Sequence, residues 1–345
     1  MNTKGMRIGI LTAGGDCPGL NAAIRGVGKT AIVNYGMKVY GIASGFRGLI
    51  DKEYTEFHED QLSGILTLGG TILGTSREKP YKNNGDSINK PELIKSSYKE
   101  LKLDCLVCIG GNGTQKTAAK LAKEGLNIIG IPKTIDNDVW GTEVSFGFHS
   151  ALDIASDAID RLHTTANSHG RVMVIEVMGH HAGWIALYAG IASGGDVILI
   201  PEVPYEEQVI ADYLLMRKKQ KKDYSIVVVA EGVDSKKKKS AGKYIAKQIQ
   251  KLTGIETRET ILGYIQRGGS PSAYDRILAT RYGAFASELI SKEHFGSMVA
   301  MNCDKLKAVP LDQVKNMLKL VEAGHPLIKK GRALGTCFGD CKGSI

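Results

Sequence analysis

The sequence predicts an α/β protein made of two units, each a mostly parallel sheet with helices on both faces. Three observations carry that prediction. Short apolar runs alternate with longer stretches of helical spacing, the runs end in glycine-rich or polar turns, and the alternation starts afresh after Gly147. A chain of 345 residues, 43% apolar and 23% charged, is long enough for two cored domains and too apolar to be disordered.

Taken in order, "MRIGILTAGG" reads as a strand entering a glycine turn, and "GLNAAIRGVGKTAIVNYG" as a helix closed by Gly36. The apolar strands "KVYGIAS", "DCLVCIGG" and "NIIGIP" follow, with "PELIKSSYKELKL" (Pro91 to Leu103) as an intervening helix. After Gly147, Phe148, Ala151, Leu152, Ala155, Ile159 and Leu162 mark one face of a long helix. Then come the strands "RVMVIEVM", "DVILIP" and "YSIVVVAEG" with helices between them. No proline-rich or low-complexity linker divides the halves, which predicts a tight interface with a cleft.

No apolar run approaches the roughly 18 residues of a membrane span, and "MNTKGMRIGI" lacks the regions of a signal peptide, so the expected place is the cytoplasm, with no membrane partner. The six cysteines (Cys17, Cys105, Cys108, Cys303, Cys337 and Cys341) suit free thiols there. Cys105 and Cys108 form a CxxC, but odd spacing on a strand sends them to opposite faces. The net charge of +9 favours anionic ligands. Its densest runs, "MRKKQKK" (216 to 222) and "SKKKKS" (235 to 240), lack the interleaved aromatics that stack on bases, and no nucleic-acid partner is expected.

The chemistry gathers where strands end, at "TAGGDCPG", "IGGNGTQ", "PKTIDND" and "VMGHHAG". "GGDCPGLN" opens a helix whose N–H groups and dipole suit phosphate oxygens, and "GGNGT" (Gly110 to Thr114) repeats the pattern. Phosphoryl transfer needs a base for the acceptor hydroxyl, a metal-supporting carboxylate, and cations or N–H groups around the moving group. Asp136, Asp138, Lys133 and Thr134 supply that set; turn and helix-cap aspartates are the plainer alternative. Arg77, Arg171, Arg258 and Arg267 offer planar forks for phosphate.

In order and spacing, "GILTAGGDCPGLNAAIRG", "GGTILGTSR", "PKTIDND", "GFHSALDIASDAIDRLHTTANSHGRV", "VMGHHAGW", "PE", "AEG" and "ETILGYIQRGGSPSAYDR" resemble the 6-phosphofructokinase family, from about Arg7 to about Met301. The resemblance implies two Rossmann-like three-layer α/β/α domains. Residues 1–147 with about 266–316 would bind the phosphoryl donor, and 148–265 with about 317–345 fructose 6-phosphate. It implies Mg2+, ATP as co-substrate, and a homotetramer, or a dimer, with shared active sites.

Residue by residue, Asp136 matches the base that takes the proton of the sugar 1-hydroxyl, and Asp138 the carboxylate near the metal. Thr134 and Gly14 match groups at the transferred phosphoryl, and Arg77 the arginine at the donor phosphates. Gly111, Asn112, Gly113, Thr114 and Lys133 fall in the donor-side loops. Arg171 matches a transition-state arginine, Glu231 an acid on the sugar hydroxyls, and Met178 with Gly179 and His180 the sugar-site lining. Arg258, Tyr264 and Arg267 match the 6-phosphate cluster, with Arg171 and Arg258 crossing from a neighbouring subunit in the family.

Three positions depart from the ATP-using pattern. Asn112 stands where many members hold a metal-binding aspartate, and His180 where bacterial members carry arginine. Lys133 is common among pyrophosphate users, whereas Gly113 leaves room for a nucleotide where those enzymes place aspartate. ATP is the expected donor, with pyrophosphate the alternative. Lys29, Arg25, His163 and the lysines near 218 to 222 match an effector pocket in altered form, which predicts a weakened response to ADP or phosphoenolpyruvate. Two readings of other kinds stay open: a kinase sharing only the "GGNGT" loop, and a non-catalytic nucleotide or sugar-phosphate sensor, for which Asn112 speaks.

Overall fold

The apolar run at the amino end forms β1 (Arg7–Ala13), buried along nearly its whole length, and α1 (Leu20–Tyr35) follows, closed by Gly36 in the left-handed region. A computed structural model describes residues 3–82, 88–235 and 240–340. The lysines at 236–239 and Cys341 lie outside the described residues. The chain divides into two compact units, Met1–Ser150 with Arg267–Lys319, and Ala151–Gln266 with Leu320–Ile345.

The first unit continues through β2 (Lys38–Ile42), α2 (Phe46–Asp51), β3 (Tyr54–Phe57), α3 (Lys90–Glu100), β4 (Cys105–Gly110), α4 (Asn112–Lys123) and β5 (Ile128–Pro132). The long helix α5 (Phe148–His169) leads into the second unit, with β6 (Val172–Val177), α6 (Trp184–Ala192), β7 (Val197–Leu199), α7 (Glu207–Lys219), β8 (Ser225–Ala230), α8 (Ala241–Thr253) and β9 (Thr257–Ile261). The chain then returns to the first unit with α9 (Ala273–Ser291), β10 (Ser297–Asn302), β11 (Lys305–Pro310) and α10 (Leu311–Val314), and α11 (Pro326–Ala333) completes the second.

The first sheet runs β11-β10-β5-β4-β1-β2-β3, parallel except at its two edge strands β3 and β11. Its central strands β4 and β5 are buried at every residue, as a sheet covered on both faces requires. The strand order reverses between β1 and β4, the place where open α/β sheets bind ligands. The second sheet, β7-β8-β6-β9, is wholly parallel.

One local expectation needs correcting. The helix expected to reach Leu103 stops at Glu100, because Lys102 turns into the left-handed region and the Leu103 N–H bonds back to the Tyr98 carbonyl. At the start of α1, Leu20 to Ile24 are buried, and the Gly19 Cα faces the Phe146 ring so closely that a Cβ would lie 2.9 Å from it.

Candidate active site

In the first unit the ends of β1, β4 and β5, adjacent strands, bring together the residues expected on the donor side. Gly14 leaves β1 at φ +87° with its N–H on the Ser76 carbonyl at 2.9 Å, while Thr75 Oγ1 donates to the Gly14 carbonyl at 2.7 Å. These bonds dock the segment carrying exposed Arg77 against the glycine turn. A side chain on Gly14 would meet Lys133 Nζ at 3.8 Å and Thr114 Oγ1 at 3.9 Å, so a bare backbone faces a cation and a hydroxyl. Gly111 lies against Lys133 and Thr134 in the same way, with its Cβ position 3.4 Å from the Lys133 carbonyl. Gly113 faces open space.

Lys133 is buried and donates to the Gly15 carbonyl. Burial lowers its pKa, with the Arg267 guanidinium acting in the same direction and Cys17, Asp136 and Asp16 opposing it. Burial also pushes the neighbouring Cys17 thiol up to about 12, which favours its neutral form. Thr134 and Asp136 are locked together: Thr134 Oγ1 accepts the Asp136 N–H at 3.1 Å and donates to Asp136 Oδ2 at 3.3 Å. Both are more than nine-tenths buried, as is Asp138.

Asn112, the first residue of α4, donates through Nδ2 to the Asp138 carbonyl at 3.4 Å, and its buried Oδ1 has no hydrogen-bond partner among the described residues. An orphaned buried amide oxygen beside a carboxylate residue fits a hard divalent cation. No cluster of three or more His, Cys, Asp or Glu gathers among the described residues to hold a metal.

In the second unit, β6 ends in a tight turn with Gly179 at φ +144° and His180 in the left-handed region at φ +53°. Glu231, just past β8, holds that turn: its Oε1 accepts the His180 N–H at 2.8 Å and the Gly179 N–H at 3.3 Å. The Met178 N–H reaches Gln266 Oε1 at 3.4 Å. Met178, Gly179, His180 and Glu231 are thus one group.

The arginines are elsewhere. Arg171 precedes β6 and pairs through Nε with Glu256 Oε2 at 2.9 Å; Arg258, at the start of the parallel strand β9, pairs with Glu256 Oε1 at 2.7 Å. The Arg171 bond holds the Glu256 carboxyl below its ordinary pKa. At about 3.3 Å per residue, six-residue β6 separates this end of the sheet from the Glu231 end by roughly 20 Å. Tyr264 is 72% exposed. Arg267 belongs to the first unit, where its guanidinium covers Gly15 and Nη1 donates to the Asp16 carbonyl at 3.1 Å.

Lys319 carried no signal in the sequence, since nothing local links it to the Asp136 loop. Its Nζ donates to Asn137 Oδ1 at 2.9 Å, the Thr142 carbonyl at 3.1 Å and the Glu143 carbonyl at 2.6 Å. Burial lowers its pKa to about 7 against the opposing pull of Asp138 and Glu143.

The family model for phosphofructokinase matches residues 7–290. An ATP-dependent 6-phosphofructokinase 3 of Bacteroides thetaiotaomicron is 61% identical over 336 residues, covering 97% of this chain and all of the relative. An ATP-dependent 6-phosphofructokinase of Spirochaeta thermophila is 56% identical, covering 96% of this chain and 97% of the relative. Among solved structures, Pichia pastoris phosphofructokinase in the T-state superposes with a TM-score of 0.83 at 32% identity; the match covers 90% of this chain, which spans only 35% of that longer one. The chain belongs to the phosphofructokinase family.

Proposed function

We propose that the protein is an ATP-dependent 6-phosphofructokinase, transferring the γ-phosphoryl group of ATP to the 1-hydroxyl of fructose 6-phosphate to give fructose 1,6-bisphosphate and ADP. The observation that carries this reading is the buried Thr134–Asp136 pair beside the meeting point of Gly14, Lys133 and Thr114. Asp136 takes the proton of the 1-hydroxyl as that oxygen bonds to the γ-phosphorus, and the bond to the β-phosphate oxygen breaks with its electron pair leaving on ADP. The Gly14 backbone, Lys133 and Thr134 surround the moving group, Arg77 faces the donor phosphates, and Gly111, Gly113 and Thr114 line the donor loop. Asn112 and Asp138 would hold Mg2+, which neutralises phosphate charge when bound.

Glu231 and the Met178–His180 turn of the second unit take the sugar. Oε1 of Glu231 is committed to the turn N–H groups, which fixes the carboxylate so that Oε2 can accept from a sugar hydroxyl. Met178, Gly179 and His180 line the sugar, while Arg258, Tyr264 and Arg267 serve the 6-phosphate. Because Arg171 and Arg258 sit at the opposite end of their sheet from Glu231, the reading includes a homotetramer, or a dimer, in which these arginines complete a neighbouring subunit's site. Among the described residues no helix is long and apolar enough to cross a membrane, and we place the enzyme in the cytoplasm.

The donor is tested by comparing initial rates of fructose 1,6-bisphosphate formation with ATP and with pyrophosphate, each with Mg2+. ATP turnover is expected. A rate with pyrophosphate alone would make Lys133 rather than Gly113 the residue that selects the donor, and no rate with either in a folded sample would favour a sensor.

A further inference from the structure

The loop between Asp136 and Ser145 carries two of the reacting-site carboxylates, yet it has little regular structure of its own. Asn137 adopts φ +51°, a conformation that costs energy for a residue with a side chain and persists only when neighbours hold it. Part of that hold is local, because Asn137 Oδ1 accepts the Ser145 N–H at 3.1 Å and Ser145 Oγ donates to the Thr134 carbonyl at 3.0 Å.

The rest comes from Lys319, distant in sequence. An ammonium group has three donors and no acceptor. Here those donors meet three acceptors, Asn137 Oδ1 between the two aspartates and the Thr142 and Glu143 carbonyls at the far side of the loop. The Lys319 N–H adds a bond to the Asp138 carbonyl at 2.9 Å, and Leu318 bridges to Val139 in an antiparallel pairing. One residue thus clamps both sides of the loop and its middle.

We propose that Lys319 is a positioning residue for phosphoryl transfer, holding the Asp136–Asp138 segment where Asp136 meets the acceptor hydroxyl. This rests on the reaction assigned above. A misplacement of about 1 Å at a reacting group can cost on the order of 100-fold in rate. The Met178–His180 turn is held by Glu231 and Gln266, so loss of the clamp should act on kcat and spare sugar binding.

The test is steady-state kinetics of Lys319→Ala and Lys319→Gln, with folding checked by circular dichroism and thermal unfolding. Lys319→Gln keeps one donor group for the loop and is the variant to read if Lys319→Ala does not fold. The expected result is a fall in kcat of about 10- to 100-fold with KM for fructose 6-phosphate within about twofold of wild type. Added ethylammonium should raise the kcat of Lys319→Ala severalfold and leave wild type unchanged, a response that a general loss of stability does not give. Unchanged kcat in a folded variant, or a loss confined to KM, overturns the inference while the reaction stands. Wild type that makes no fructose 1,6-bisphosphate overturns the reaction, and the inference with it.

Discussion

On the function proposed above, Gly113 is a missing side chain that admits a nucleotide. A Cβ at this position would meet nothing within 4 Å, so the fold does not require glycine there. Its value lies in what it leaves open beside Gly111 and Asn112 at the head of α4. Gly113→Asp should therefore fold normally yet place bulk and negative charge beside the nucleotide. The expected outcome is a drop in kcat/KM for ATP of about tenfold or more, equivalent to about 1.4 kcal/mol, with the melting temperature unchanged. Initial rates over a range of ATP concentrations check it. Gly15 is the contrasting case: the Arg267 guanidinium lies 2.9 Å from where its Cβ would be, so a side chain there would have to displace that cation. Both glycines were visible in the sequence; the room left by Gly113 followed from the family resemblance, whereas the Arg267 guanidinium over Gly15 is a long-range contact that no local pattern announces.

At the scale of elements, the long periodic segments were legible and the short or polar ones were not. Helix α1 was readable to its end because the apolar spacing stops at Gly36, which adopts the left-handed cap. The hairpin of β10 and β11 was missed because its two-residue turn is Cys303–Asp304, both at positive φ, where glycine or asparagine would have announced it. Strand β9, "TRETI", is too polar to declare itself and exists through its register on β6. The crossing of α1 and α9 is set by small residues: at Gly283 a Cβ would lie 2.6 Å from both the Ala23 carbonyl and the Val27 N–H nitrogen. Those are backbone atoms and cannot swing aside. Gly283→Ala should destabilise the first unit by about 1 to 3 kcal/mol, measured by denaturant unfolding, while a Val33→Ala control on the exposed face of α1 should change little.

At the scale of the whole molecule, the decisive feature is the distribution of charge-bearing residues along β6 and β9. Arg171 and Arg258 converge on Glu256 at one end of the strands, and Glu231 holds its turn at the other. If the arginines act in a neighbouring subunit, two inactive variants should complement each other. Mixing Asp136→Asn with Arg171→Ser subunits through dissociation and reassembly would create some sites with both residues intact. Activity should rise to a sizeable fraction of wild type after mixing, and stay at the level of the separate variants if each chain serves only its own site.

The sequence alone determined the class of fold, and it singled out the strand ends and Asp136, Thr134, Lys133 and the arginines as the candidates for chemistry. It could do so because buried parallel strands read as apolar runs and phosphate-handling turns need glycine beside polar groups. Tertiary structure decided what those residues do to one another. It set β5, β4 and β1 side by side, so that Gly14, Thr114 and Lys133 meet. It placed Arg267 on the Gly15–Asp16 turn and bound Lys319 to a loop more than 170 residues earlier. These are long-range contacts between side chains and backbone, and no local propensity or spacing encodes them.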